Sequence, residues 1–223
     1  MIDILYEDKN FIVAIKPAGI SSQPDNCAGD DMTVLLKKQT KSDIFPVHRL
    51  DKVTGGVMVY AKNSAAAAKF AKTAESGSFI KHYFAVIEGR PEKNSARLED
   101  FLLFNKISGK SNVVESTVKG AKNAVLEYNL KETSAFGGNE YSLLDIRLFT
   151  GRTHQIRAQL SHIGFPIVGD GKYGSKIKAP LALWSYEADF PISGGKTHIF
   201  SAEPPEIFPW NIFEGIKNKG DEN

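Results

Sequence analysis

Residues 46–60 read PVHRLDKVTGGVMVY and place one carboxylate, that of Asp51, among cations in front of an apolar run. His48 and Arg49 precede the acid, a Thr-Gly-Gly turn follows it, and the apolar run behind it predicts a buried strand. A carboxylate in this setting is either half of a structural ion pair that fixes a loop or a reactive group whose charge an arginine stabilises. This stretch alone leaves both interpretations open.

The composition of the chain excludes several classes of protein. With 223 residues, of which 42% are apolar, the chain is long enough for one domain, or one body with two lobes, around a substantial core. No stretch approaches the roughly twenty apolar residues of a membrane helix, and the acidic start is unlike a signal peptide, so we expect a cytoplasmic protein with no membrane partner. Cys27 is the only cysteine, so neither a disulfide nor a cysteine-based zinc site can form within the chain.

The charge is unevenly distributed along the sequence. The formal net charge is only +2, yet residues 179–223 carry more acidic than basic side chains, which leaves the preceding body mildly basic. A basic body of this kind is compatible with a nucleic-acid partner. A solvated surface of mixed charge explains the same distribution equally well.

Short β-rich segments joined mostly by short turns predict an α+β protein with antiparallel pairing. There is no regular alternation of strand and helix and no repeat, which disfavours a Rossmann or barrel fold. We expect a helix capped by Asp31 that runs to about Thr40, and a second one capped by Asn63 or Ser64 that ends near Gly77. The predicted strands cover residues 2–6, 11–16, 57–61, 81–90, 97–104, 113–118, 124–132 and 141–148.

A third helix is predicted within residues 150–173, which read TGRTHQIRAQLSHIGFPIVGDGKY. Thr153 is a plausible N-cap, and the helix runs to about Ile163. The spacing of its apolar residues places Arg157 near the edge of the buried face, from where a guanidinium can reach into a cleft.

Two polar side chains, those of Arg152 and His154, lie at the start of this helix. Free backbone N–H groups there favour a phosphate or a carboxylate, and a solvated cap is the alternative interpretation. His154 and His162 are too far apart on one helix to share a metal ion, and no carboxylate completes a ligand set. We therefore expect no metal.

Four blocks of this sequence, taken together and in order, resemble the RluA-type pseudouridine synthases. The resemblance covers residues 1 to about 190, and it implies an α+β fold with a mixed, mainly antiparallel sheet flanked by helices. It further implies that residues 1–223 form a single catalytic domain, with two lobes around one central RNA-binding cleft. The blocks are VAIKPAGISSQP (13–24), HRLDKVTGG (48–56), KHYFAVIEG (81–89) and TGRTHQIRAQLSHIGFPIVGDGKYG (150–174).

The resemblance also implies a reaction and its catalytic residues. The family isomerises uridine in RNA to pseudouridine without metal or cofactor, so the expected partner is transfer or ribosomal RNA, and we expect the protein to act as a monomer. Asp51 corresponds to the nucleophile, Arg157 to the arginine that keeps it ionised, and Tyr83 to the aromatic side chain that stacks on the flipped-out base. Whether Asp51 attacks C1′, attacks C6 or promotes elimination to a glycal stays open.

Further residues of the same blocks are expected to contact RNA. Arg49 corresponds to the arginine that fills the space of the flipped-out base or contacts the backbone. His48 is equally well interpreted as an RNA contact or as a hydrogen-bonding residue of its own loop. The remaining expected RNA contacts are Thr54, Arg152, His154 and Gln155.

The sequence departs from the family pattern at two places. Gly55 stands where many members have serine, and Trp184 stands where histidine is common. Neither change removes a catalytic group, although both bear on the fit of the RNA. Because the blocks begin almost at the first residue, we also expect no separate S4-like domain.

Two other functions compete with a synthase. A non-catalytic RNA-binding relative would have kept the cleft, but loss of catalysis would usually show as a missing Asp51 or Arg157, and both are present. A hydrolase would use Asp51 with His48 as acid and base. It lacks a second carboxylate in any comparable block and any metal cluster.

Overall fold

The computed structural model describes residues 1–25, 29–192 and 196–216, so Cys27 lies outside the described residues. Within these ranges the chain forms three α-helices and eleven strands. The helices are α1 (Met32–Thr40), α2 (Ser64–Glu75) and α3 (Gln155–His162). The strands are β1 (Ile4–Glu7), β2 (Phe11–Lys16), β3 (Phe45–Pro46), β4 (Gly55–Ala61), β5 (Ile80–Glu88), β6 (Ser95–Asn105), β7 (Lys110–Val114), β8 (Lys122–Phe136), β9 (Asn139–Leu148), β10 (Leu183–Pro191) and β11 (Thr197–Ser201).

Contacts between residues divide the chain into two units, of which the first comprises Met1–Lys81 and Ser185–Ala202. Its strands follow the order β1-β2-β4-β10, with β3 added to β4 and β11 added to β10. The first two predicted strands are confirmed, and they form an antiparallel pair, β1 with β2, in which Ile4 lies opposite Ala14. β2 and β4 are also antiparallel, and their register runs from Phe11 opposite Ala61 to Lys16 opposite Gly56.

The core of the first unit lies between this sheet and α2. Every residue of β4 is buried, which confirms the strand expected behind Asp51. Four phenylalanine rings close the core, with centroids 4.8 Å apart for Phe70 and Phe79 and 5.8 Å apart for Phe11 and Phe190. Edge-to-face pairs of this kind contribute about 0.5–1.5 kcal/mol each beyond the area that they bury.

One glycine of the Thr-Gly-Gly turn is required by the packing of the first unit. Gly56 has a φ of +121°, and a Cβ atom there would lie 2.1 Å from the backbone oxygen of Ser185. A side chain at this position would have to push the two backbones apart. The turn after Asp51 therefore brings β4 into close contact with the Ser185 backbone.

The second unit comprises His82–Trp184 and, among the described C-terminal residues, 203–216. Its strands follow the order β5-β9-β8-β6-β7, and β8 pairs antiparallel with both β9 and β6. α3 packs against β6 and β7 and precedes a 3-10 turn at Gly171–Tyr173. Among the described residues, no helix is long and apolar enough to cross a membrane.

Several predicted elements are confirmed by the structure. The Asp31 carboxylate accepts a hydrogen bond from the Thr33 backbone at 2.7 Å and caps α1, and Asn63 accepts one from Ala66 at 2.8 Å and caps α2. Both caps satisfy N–H groups that the first helical turn leaves without partners. The α+β class with mainly antiparallel pairing is confirmed as well.

Other predicted bounds are wrong for identifiable reasons. The strand predicted at 113–118 ends at Val114, because turn hydrogen bonds from Val118 to Glu115 and from Ala121 to Val118 replace the ladder. The N-cap of α3 is His154 in the left-handed conformation (φ 53°), not Thr153, and no side chain caps the helix. β10 and β11 were not predicted.

Candidate active site

The segment that carries Asp51 is held by alternate residues. The side chain of His48 accepts a hydrogen bond from the backbone of Val59 at 3.0 Å. Two residues later, the Ser22 hydroxyl bonds both the N–H and the carbonyl of buried Leu50, at 3.1 and 2.8 Å. Arg49 is exposed and Asp51 is half-buried. The segment is thus anchored at His48 and Leu50. Arg49 lies between these two anchors, and Asp51 directly follows the second.

His48 acts as a structural residue in this segment. Its ring packs against Phe70 and Phe79, with a centroid distance of 4.9 Å to Phe79. Burial, together with the positive charge of Lys81, lowers the pKa of His48 to about 3. The ring is therefore neutral at physiological pH and brings no positive charge to an RNA partner.

A turn fixes the backbone on the far side of the acid. The Thr54 N–H donates to the Asp51 carbonyl at 3.0 Å. Thr54 is buried, and its hydroxyl has no hydrogen-bond partner among the described residues. Its expected contact with RNA stays a prediction.

A buried lysine supports the same turn. Lys16 is 0% exposed, and its ammonium donates to the carbonyls of Pro17, Ile20 and Lys52 at 2.9, 2.7 and 3.1 Å. Burial lowers its pKa to about 8, and the negative charge of Asp51 opposes that shift. The ammonium thus ties the Lys-Pro-Ala-Gly turn to the backbone next to Asp51, and its charge acts on the carboxylate.

In the second unit, Arg157 is one half of a buried ion pair. It is 6% exposed, and its Nε and Nη2 donate to the two oxygens of Asp170 at 2.7 and 2.8 Å. The guanidinium carbon also lies 5.0 Å from the centroid of the Tyr173 ring. A bidentate ion pair together with an aromatic ring contact fixes the plane of a guanidinium more firmly than a single contact does.

The tyrosine under this guanidinium joins three elements. Its hydroxyl accepts a hydrogen bond from the backbone of Ser111 on β7 at 2.7 Å. Nδ1 of His154, the residue before α3, lies 3.0 Å from the same oxygen. Tyr173 therefore links β7, the start of α3 and the 3-10 turn.

Gln155 uses its side chain inside the second unit. Its amide oxygen accepts hydrogen bonds from the Thr150 hydroxyl at 2.7 Å and from the Arg152 N–H at 3.0 Å. Its amide nitrogen donates to Val125 O and to the Gln159 side chain, both at 3.1 Å. The contact of Gln155 with RNA stays a prediction, made by a residue that already has four internal partners.

The start of α3 differs from the sequence prediction. The N–H groups of Arg152 and Gln155 are bonded inside the protein, so they are not free for an anion. The exposed Arg152 side chain donates to Asn123 O at 2.8 Å. The expectation of an amphipathic helix is wrong too, because all six residues from 155 to 160 are buried. Arg157 therefore lies in the buried part of the helix and not at the edge of an apolar face.

Comparison with known proteins decides the family of the chain. A sequence profile described as RNA pseudouridylate synthase matches residues 10–162. The chain belongs to the RNA pseudouridylate synthase family. Among the described residues, no group of three or more histidine, cysteine, aspartate and glutamate side chains could hold a metal ion.

Several members of the pseudouridylate synthase family are similar along most of this chain. The ribosomal large subunit pseudouridine synthase D of Borreliella burgdorferi is 37% identical, over 93% of this chain and 66% of its own length. The tRNA pseudouridine synthase C of Haemophilus ducreyi is 34% identical, over 78% and 74%. The ribosomal large subunit pseudouridine synthase C of Rickettsia felis is 32% identical, over 82% and 59%. The chain thus spans about three fifths to three quarters of these relatives.

Solved structures in the pseudouridylate synthase family share the fold. Human RNA pseudouridylate synthase domain containing 1 matches with a TM-score of 0.79 at 21% identity, over 93% of this chain and 85% of that one. Human RNA pseudouridylate synthase domain containing 4 matches with a TM-score of 0.74 at 24% identity, over 91% of this chain and 88% of that one. The predicted pseudouridine synthase fold is confirmed.

The residues predicted to be catalytic in this pseudouridylate synthase chain are divided between the units. Asp51 belongs to the first unit, and Tyr83, a buried residue of β5, belongs to the second together with Arg157. Their meeting in one cleft of a single catalytic domain stays a prediction, as do their roles. Trp184 is buried in the second unit.

Sequence reasoning missed four residues that support the site. Lys16 and Ser22 hold the backbone on either side of Asp51, and Asp170 and Tyr173 hold Arg157. All four lie inside the blocks that carry the family resemblance. Their position in those blocks was a signal, but only the tertiary contacts show what each one binds.

Proposed function

We propose that this protein isomerises uridine in RNA to pseudouridine, with Asp51 as the nucleophile. The observation that carries the proposal is that the backbone at Asp51 is fixed and that a buried cation lies nearby. It follows a segment anchored at His48 and Leu50, and it lies within the electrostatic influence of the buried Lys16 ammonium. A carboxylate held in this way keeps a fixed backbone position beside a positive charge, as a nucleophile requires.

The proposed reaction exchanges one bond for another within a single nucleotide. The N1–C1′ bond breaks, the base turns over, and C5 bonds to C1′. C5 then loses its proton and N1 ends up protonated, so atoms and charge balance without an oxidant or a co-reactant. Asp51 attacks C1′ or C6, or it stabilises the elimination that gives a glycal. Each of these routes needs an ionised carboxylate at the nucleotide.

Arg157 and Tyr83 complete the proposed catalytic group. The guanidinium of Arg157 keeps Asp51 ionised, and the Asp170 carboxylate orients that guanidinium through two hydrogen bonds. The Tyr83 ring stacks on the base that has left its helix, with its hydroxyl near the C5 proton. Asp170 acts through Arg157 and is a positioning residue.

The proposed substrate is a transfer or large-subunit ribosomal RNA. Relatives that cover most of this chain are named as synthases acting on one or the other class. Arg49 is exposed next to Asp51, where it can take the space of the extruded base or contact the backbone. A base must leave its stack to bring C1′ and C5 to a side chain, at a cost of about a few kcal/mol.

The decisive experiment maps pseudouridine in RNA incubated with the purified protein. Unmodified transcripts of transfer RNA and of large-subunit ribosomal RNA serve as substrates. The wild-type protein should form pseudouridine in unbroken strands. Asp51→Asn should lower the single-turnover rate by at least about 10³-fold, or about 4 kcal/mol of barrier, with RNA affinity within about threefold because the fold and the cationic contacts remain.

Asp43→Asn is the matched control, since Asp43 is an exposed aspartate of the same unit that pairs with Lys37 on the surface. It should retain the wild-type rate. Cleaved strands or free uracil would identify a hydrolase instead. Binding without any change in the RNA would identify a non-catalytic relative. A rate for Asp51→Asn within tenfold of the wild type would overturn the assignment of the nucleophile.

A further inference from the structure

The second unit contains a basic groove outside the residues to which the sequence assigned a role. The groove has a volume of about 470 Å³ and lies between β7, the C-terminal half of α3 and the following 3-10 turn. Within the described part of the chain, no carboxylate lines it. The polar side chains along it include those of Lys110, Asn112, Ser161, His162, Lys172 and Tyr173.

The two lysines of the groove are held in place without an acidic partner. The Lys172 ammonium donates to the carbonyl of Gly109 at 3.2 Å. The Lys110 ammonium lies 5.8 Å from the centroid of the Tyr173 ring. Neither forms an ion pair with a carboxylate among the described residues, whereas Lys37 on α1 pairs with Asp43 at 2.7 Å. Two positioned cations in a concave site without acids raise the local positive potential and attract an anion.

The end of α3 opposes this potential only weakly. A helix C-terminus carries about half of a negative elementary charge, which comes from carbonyls without partners. Here the carbonyls of Gln159, Leu160 and Ser161 accept hydrogen bonds from the N–H groups of residues 163, 165 and 164. The exposed His162 adds a further donor at the same end. The two ammonium charges therefore dominate the groove.

The groove shares one wall with Arg157. Both cations lie over the Tyr173 ring, with the Lys110 ammonium at 5.8 Å and the Arg157 guanidinium at 5.0 Å from its centroid. The hydrogen bond from Ser111 to the Tyr173 hydroxyl keeps this wall in place. An anion in the groove would thus contact the same aromatic ring over which the proposed catalytic arginine lies.

We propose that this groove binds backbone phosphate of the RNA substrate at a nucleotide that flanks the isomerised uridine. The inference rests on the proposed function, and it adds a second RNA-binding surface, formed by Lys110, Lys172 and Asn112. Lysines bind phosphate as point charges and without reading the base. The groove therefore contributes affinity and position, and it does not choose the sequence.

The test is the double variant Lys110→Gln/Lys172→Gln, compared with Lys69→Gln/Lys72→Gln. The control removes two exposed lysines of α2, which lie in the first unit and form no described ion pair, so the change in net charge is the same. The probe is the unmodified transcript in which the wild-type protein forms pseudouridine. The measured quantities are the dissociation constant between 50 and about 200 mM salt, and kcat and KM for isomerisation.

The groove variant should raise KM at least about tenfold and leave kcat at saturating RNA within about twofold. The slope of log affinity against log salt is negative, and it should become shallower by about 1 for each phosphate that the variant no longer binds. Asn112→Glu, which places a carboxylate in the groove, should weaken binding in the same direction. The control variant should keep the wild-type slope and KM.

The outcomes separate this inference from the proposed function. A groove variant with wild-type KM and salt slope, or a control variant with an equal loss of affinity, would overturn the inference while the synthase activity stands. If the wild-type protein binds either transcript but isomerises none, the proposed function fails, and the groove is still judged by affinity and slope on that transcript. If the wild-type protein binds neither transcript, both fail.

Discussion

Each unit contains a buried cation next to, or among, the residues predicted to be catalytic, and the two cations are stabilised in different ways. Lys16 of the first unit donates to three neutral carbonyls and has a pKa lowered to about 8. Arg157 of the second unit donates to both oxygens of a buried carboxylate and lies over an aromatic ring. The hydrogen-bond acceptors of the first cation are neutral, and those of the second are the two oxygens of the Asp170 carboxylate.

The difference shows what each cation can do. Neutral acceptors satisfy the hydrogen bonds of an ammonium but do not cancel its charge. Burial therefore makes protonation costly and lowers the pKa of the ammonium toward neutral pH. Its charge remains available to Asp51. A guanidinium with its own carboxylate stays charged at every physiological pH and is fixed in orientation. One unit therefore contains a titratable charge next to the acid, and the other contains a permanent, oriented one.

The largest effect is expected where Arg157 loses the Asp170 carboxylate. Asp170→Asn takes a charged acceptor of two hydrogen bonds away from a guanidinium that is 6% exposed. Breaking a buried pair on one side costs about 3–5 kcal/mol, so the free energy of unfolding in urea should fall by about that amount. Asp43→Asn, which breaks an exposed pair with Lys37, should cost less than about 1 kcal/mol.

A double variant separates stability from catalysis at this pair. Arg157→Met with Asp170→Leu removes both charges together, so it should recover most of the stability lost in Asp170→Asn. It should not recover isomerisation, because the arginine is gone. Recovery of the rate together with stability would show that the pair has only a structural role. Equal stability of Asp170→Asn and the wild type would show that the carboxylate does not balance Arg157.

Local patterns in the sequence predicted the framework of both units. Asp31 and Asn63 cap their helices because a short acceptor side chain before an apolar run has one favourable use. The strand behind Asp51 was evident because the five consecutive apolar residues 57–61 favour burial, and in the structure β4 begins two residues earlier, at Gly55. The resemblance of four blocks placed Asp51 and Arg157 in a synthase family, and the comparisons confirm the family.

The partners of the two cations could not be predicted, because they depend on distant segments. Lys16 donates to the carbonyl of Lys52, 36 residues later in the chain. Every residue has a backbone carbonyl, so the residue types do not indicate which one accepts. Asp170 follows Arg157 by 13 residues, across a helix end and a turn that local pattern does not position. The third helix was predicted, but the expectation of a single apolar face on it was wrong for a related reason, since Gln155 and Gln159 are polar yet buried with internal partners.

A smaller effect is expected at Lys16, whose ammonium donates only to neutral carbonyls in the described structure. Lys16→Met keeps similar volume but leaves the carbonyls of Pro17 and Ile20 without this donor, while Lys52 O still accepts from the Gly19 N–H at 2.7 Å. The free energy of unfolding should fall by about 1–3 kcal/mol. The single-turnover rate should fall at least about tenfold, because Asp51 loses a neighbouring positive charge.

The matched control for this variant is Lys62→Met. Lys62 is a mostly buried lysine of the same unit, and its ammonium pairs with Glu7 at 2.6 Å. It should lose comparable stability and keep the wild-type rate. If both variants lost rate in proportion to stability, Lys16 would be no more than a packing residue. A change in kcat without a change in KM would support its action on the bound substrate.

The smallest and most specific effect is the response of Lys16 to pH. With a folded-state pKa of about 8, the ammonium loses its proton as pH rises through that value, and the single-turnover rate should fall about tenfold between pH 7 and 9. Stability should change in the opposite direction. Because the unfolded lysine titrates near 10.5, the unfolded state binds more protons between about pH 8 and 10.5, so the contribution of Lys16 to the free energy of unfolding rises there.

A fall in rate over this window therefore cannot come from unfolding driven by Lys16. The check is to measure the rate and the urea midpoint side by side from pH 6.5 to 9.5, in the wild type and in Lys16→Met. The variant has no ammonium to titrate, so its lower rate should be flat where the wild-type rate falls. A parallel fall in both proteins would assign the titration to the RNA or to another side chain. The neutral carbonyls around Lys16 would then stabilise a charge on which the reaction does not depend.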